Sequence, residues 1–74
     1  MSDYPQYWLA GGKPVMFEET PEGGLRIKVW EEELGKFLFD SRYRSLCLYD
    51  RSDWAKQVTR EEYAAALIAQ GGQP

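Results

Sequence analysis

The sequence has no histidine, no asparagine and a single cysteine, Cys47. Each gap closes off a class of chemistry. Without histidine the commonest general base is missing, so a Ser- or Cys-based nucleophile has no ready partner. The zinc sets built from Cys and His are also out of reach. Without asparagine a spaced Asp/Asn calcium loop cannot be assembled. One cysteine permits no internal disulfide and fits a reducing compartment. No run approaches the roughly 18 apolar residues of a membrane-spanning helix, and the first residues carry neither a basic start nor an apolar leader core. The chain is therefore expected to be cytoplasmic, with no membrane role.

Glycine and proline mark turns and form no phosphate cradle. Gly11-Gly12 and Gly23-Gly24 each sit between alternating or aromatic runs, as hairpin turns do, and neither lies in a nucleotide-binding pattern. The acidic groups Glu18-Glu19, Glu31-Glu32-Glu33 and Glu61-Glu62 are neighbours along the chain, so they read as solvated charge, not as a convergent acid–base pair. Cys47 lies between Leu46 and Leu48, which predicts a buried, inert thiol. These absences predict a non-catalytic protein with no cofactor and no metal.

Seventy-four residues make one domain, 1–74, with a small core. A core of this size rarely supplies more than about 3–5 kcal/mol. With disulfide and zinc excluded, good packing or self-association must make up the rest. A homodimer is accordingly one expectation. The net charge of −3 is uneven. Residues 1–40 carry four Lys/Arg against eight Asp/Glu, and residues 41–74 carry five against four. An acidic balance disfavours nonspecific nucleic-acid binding.

What is present is local structure signal. Val58-Thr59-Arg60-Glu61-Glu62-Tyr63 is a complete helix start. Thr59 and Glu62 form a capping box, Val58 and Tyr63 a hydrophobic staple, and the acids suit the positive end of the dipole. The helix is predicted over 60–70, with Gly71 at the left-handed C′ position. Tyr63, Ala64, Leu67 and Ile68 are expected to face the core, and Ala65, Ala66 and Ala69 lie on the remaining surface. Leu25 to Trp30 alternates as a half-buried strand, preceded across Pro21-Glu22-Gly23-Gly24 by residues 15–19. Tyr7–Ala10 pairs with 14–19 across Gly11-Gly12. Residues 37–39 and 45–49 favour strands by composition, residues 30–36 read as a helical turn or a strand end, and 54–58 as a short strand or lead-in.

The fold class is α+β: a small antiparallel meander of four to six strands packed by one C-terminal helix. A small SH3- or OB-like barrel with a C-terminal helix is the alternative.

Eleven residues are aromatic. Phe17, Phe37, Phe39, Trp54, Tyr63 and Trp8 are assigned to the core, leaving Tyr4, Tyr7, Trp30, Tyr43 and Tyr49 for partial exposure. Exposed Tyr and Trp favour protein interfaces. The expected function is a protein-interaction module that binds a protein partner or itself through an aromatic-bearing sheet face or edge. Its candidate contacts are Arg26, Lys28, Trp30, Tyr43, Arg44 and Tyr49. The alternative is a nucleic-acid-binding small barrel using Lys36, Arg42, Tyr43, Arg44 and Arg51, whose basic and aromatic residues interleave. A third reading is an acidic decoy presenting Glu18, Glu19 and Glu31 to Glu33.

Overall fold

The computed structural model describes residues 4–49 and 54–73, leaving aside the side chains of Arg44, Leu46, Leu48 and Tyr49. Its elements are β1 (Gln6–Ala10), β2 (Lys13–Glu19), β3 (Leu25–Glu31), β4 (Lys36–Phe39), α1 (Arg42–Tyr49), β5 (Ala55–Val58) and α2 (Arg60–Ala69). The strands form one open antiparallel sheet in the order β4-β3-β2-β1-β5. The sheet does not close on itself, so the barrel alternative is set aside. Among the described residues no helix is long and apolar enough to cross a membrane.

Turn chemistry sets the register. Gly11 (φ 58°) and Gly12 (φ 85°) are both left-handed, the combination a two-residue type I′ hairpin requires. That turn fixes Ala10 opposite Lys13 and Trp8 opposite Val15. Glu32 to Gly35 join β3 to β4. There the Gly35 N–H donates to the Glu31 carbonyl at 2.8 Å.

Strand alternation then sends side chains to two faces. One face carries Trp8, Ala10, Val15, Phe17, Ile27 and Val29, all buried. Helix α1 lies over it, with Cys47 in the cluster and Tyr43 packed against it. The other face carries Trp30, with Tyr7, Met16 and Phe37 around it, and α2 lies over it through Tyr63 and Leu67. Each face of the sheet thus carries one helix, and β4 lies outside the main contacts of both.

Helix α2 starts as its sequence predicts. The Glu62 N–H donates to Thr59 Oγ1 at 3.1 Å, the Thr59 N–H donates to Glu62 Oε1 at 3.3 Å, and Val58 packs into the cluster with Tyr63. It ends in a Schellman arrangement. The Gly72 N–H donates to the Leu67 carbonyl and the Gly71 N–H to the Ile68 carbonyl, with Gly71 at φ 85°.

Four expectations are corrected. Residues 45–49 are not a strand but the second half of α1. The helix begins where Asp40 Oδ1 accepts from the Arg42 N–H, and it buries Cys47 four residues after Tyr43, a helical spacing. Trp30, expected near the surface, is 6 % exposed because α2 crosses above it. Phe39 and Trp54, assigned to the core, are 64 % and 39 % exposed. Phe39 lies on the outermost strand, beyond the cover of α2, and the Trp54 ring rests on Gly11 at the rim of a hairpin. Ile68 is exposed too, since α2 meets a flat sheet along a narrow stripe and a 100° step past Leu67 turns Ile68 out.

Candidate functional site

Cys47 is the one thiol, and it is buried in the cluster beneath α1. Burial pushes its pKa up to about 11, so the sulfur stays protonated and unreactive near neutrality. Among the described residues no group of three or more metal-ligating side chains converges. The hollow of about 500 Å³ at the β1–β2 turn is lined by Glu31, Glu32 and Glu33. Glu31 is already engaged there by Lys13, whose Nζ lies 3.0 Å from both carboxylate oxygens and whose pKa is raised chiefly by that hydrogen bond.

The surface with unspent chemistry is the β4 side of the sheet. Strand β4 pairs only with β3, and among the described residues its outer side is open. Its register places Lys28 opposite Phe39 and Trp30 opposite Phe37, so these four share the α2 face. Lys28 Nζ sits 4.8 Å from the Phe37 ring centroid and the Arg26 guanidinium carbon 5.3 Å from that of Phe39. Both are cation–π distances. Phe37 also meets Trp30 edge-on at 5.1 Å. Arg26 is held from its other side by the Glu18 carboxylate. On the opposite face Leu38 is 38 % exposed, and Leu34 in the preceding turn is 58 % exposed. Phe39 on one face, and Leu38 with Leu34 of the preceding turn, are the exposed apolar side chains at this end of the sheet, and the basic groups Arg26 and Lys28 lie on the Phe39 face.

A groove of about 280 Å³ lies on the same face as Phe37, between α2 and the sheet. Met16, Phe37, Tyr63 and Leu67 supply its apolar surface, and Lys28 and Arg60 add positive charge. Burial, and then the nearby Tyr7 and Glu18, push the Tyr63 phenol up to about 12.

The structure divides the predicted contact residues. Arg26 and Lys28 project together beside Phe37 and Phe39. Trp30 is on the same face but sealed under α2. Tyr43 sits on α1 over the other face, 6.0 Å from the Trp54 ring. Arg44 and Tyr49 belong to α1, with side chains outside the described set. The basic group splits as well. Lys36 opens β4, Arg42 is bound to Asp40 at the start of α1 with Nη2 2.8 Å from Oδ2, and Arg51 lies outside the described residues. Leu38 and Phe39 are the residues sequence reasoning missed as surface, whereas Phe37 packs against the Trp30 cluster as expected. Alternation alone could not tell an outer strand from an inner one.

No protein-family model, no curated protein and no solved structure matches this chain.

Proposed function

We propose that this protein is a small non-catalytic interaction module that engages a protein partner, or a second copy of itself, along the β4 margin. The observation that carries the reading is Phe39. It is a large ring, 64 % exposed, backed by a guanidinium, on a strand whose outer backbone groups are open among the described residues. An open strand edge offers backbone hydrogen bonds, and flanking apolar side chains give selectivity. Arg26 and Lys28 from the predicted contact set sit directly behind this ring pair. The free, buried Cys47 fits a reducing compartment, and we assign the module to the cytoplasm.

The test is site-specific photo-crosslinking in cells. One protein carries the crosslinking amino acid in place of Phe39 and a second carries it in place of Ile68, which is also exposed but on the outside of α2. Protein adducts at position 39 well above those at 68 are expected. Equal or absent adducts at 39 would overturn the reading. The nucleic-acid alternative draws support from the cations stacked on Phe37 and Phe39. Oligonucleotide adducts at position 39 would favour it.

A further inference from the structure

We infer that the β4 edge pairs antiparallel with β4 of a second copy, about a twofold axis through Leu38. The inference rests on the interaction reading above and names its partner.

Backbone orientation comes first. The Asp40 N–H donates to the Ile27 carbonyl, so Asp40 and Ile27 form a hydrogen-bonded pair of the β3–β4 ladder. Antiparallel bonding alternates, so Leu38 and Lys36 also direct their N–H and C=O groups inward to β3. Phe37 and Phe39 direct theirs outward. A twofold axis at Leu38 sets Phe37 opposite Phe39 of the second copy. These are the two residues with outward groups, and the two pairs exchange four hydrogen bonds.

Side chains select the same register. Lys36-Phe37-Leu38-Phe39-Asp40 reads as a palindrome of character: charge, ring, aliphatic, ring, opposite charge. About Leu38, each Lys36 meets Asp40 of the other copy, each Phe37 meets Phe39, and Leu38 meets itself. Moving the axis to Phe37 sets Lys36 against Leu38; moving it to Phe39 sets Leu38 against Asp40. Only the Leu38 axis matches ion with ion and apolar with apolar. Lysine on an outer strand usually discourages pairing. Here a carboxylate waits where the lysine arrives, so the same charge picks the register. Arg42 already holds Asp40, with Nε and Nη2 at 3.0 and 2.8 Å. A carboxylate has about four acceptor sites, which leaves room for an ammonium.

The test combines sedimentation equilibrium with amide hydrogen exchange, from micromolar to millimolar protein. A mass of two chains is expected, with the Phe37 and Phe39 amides slowing as concentration rises. Lys36→Asp and Asp40→Lys should each weaken the dimer on the order of tenfold, and the double variant should restore it. Asp40→Lys also removes a hydrogen bond at the start of α1, so Leu38→Lys serves as an independent disruption at an already half-open position. A monomer at every concentration overturns the inference. So does a dimer whose Phe37 and Phe39 amides exchange at monomer rates, or one indifferent to Leu38→Lys. A monomer that still gives protein adducts from position 39 sinks the self-pairing and leaves the interaction reading standing. A monomer without such adducts sinks both.

Discussion

The indole N–H of Trp30 donates to the backbone carbonyl of Gln70 at 3.2 Å, across 40 residues of chain. Gln70 is the C-cap of α2, and its side-chain amide in turn donates to the Gly12 carbonyl at 2.7 Å. One residue thus ties the end of the helix to β3 and to the first hairpin. Trp30→Phe keeps an aromatic ring under α2 but gives up the donor, and should cost about 1 kcal/mol. Trp30→Ala also opens a cavity and should cost about 3–5 kcal/mol. Urea denaturation of the two variants separates bond from bulk.

The two ends of the Tyr63–Leu67 stripe carry different kinds of stability. Thr59→Ala removes the capping box and should cost about 1 kcal/mol. Leu67 is fully buried, and Leu67→Ala should cost about 2–5 kcal/mol. Ile68→Ala, one residue on and facing solvent, should stay within about 0.5 kcal/mol. Denaturation midpoints at matched slopes check the ranking.

Gly11 and Gly12 share a turn but not a neighbourhood. A Cβ on Gly11 would collide with the Trp54 indole, whereas one on Gly12 meets nothing within 4 Å. Both have positive φ, so alanine at either should cost about 1–2 kcal/mol of backbone strain. Gly11→Ala should cost more than Gly12→Ala and should shift the Trp54 indole N–H resonance, which Gly12→Ala leaves in place.

Alkaline pH should loosen the fold. Cys47 and Tyr63 are buried, and their pKa values rise from 9.0 to about 11 and from 10.0 to about 12. A raised folded-state value means that the unfolded chain gives up its proton first. The stability is fully present below about pH 9 and is lost as pH rises through 11 and 12. Urea midpoints should hold level near neutrality and fall above pH 9. Cys47→Ala should flatten the earlier part of that fall and Tyr63→Phe the later part. Iodoacetamide should leave Cys47 unmodified at neutral pH until denaturant is added.

Where information was local, the sequence was legible. The Thr59–Glu62 box, the paired glycines of the first turn and the Leu25–Trp30 alternation each declare themselves within about six residues, and each forms as predicted. Other features depended on strand order. Trp30 and Phe39 occupy one face of one sheet, yet α2 crosses near the first and stops short of the second. No window containing either residue records that. Residues 45–49 failed for another reason: a short apolar run is ambiguous in period. Just upstream, Asp40 accepts from the Arg42 N–H where α1 begins, a local contact that the strand-like composition of 45–49 does not reveal. The candidate surface was half legible. The sequence marks Arg26 and Lys28, but it places Phe39, the ring under Arg26, in the interior.

Each flat side of the sheet carries one helix, and the two rims are unalike. One reads Lys36-Phe37-Leu38-Phe39, the other Ala55-Lys56-Gln57-Val58. Like joined to like uses up the greasy rim in a single step and turns the mild one outward at both extremities. An object paired in this way would stop growing along that rim at two.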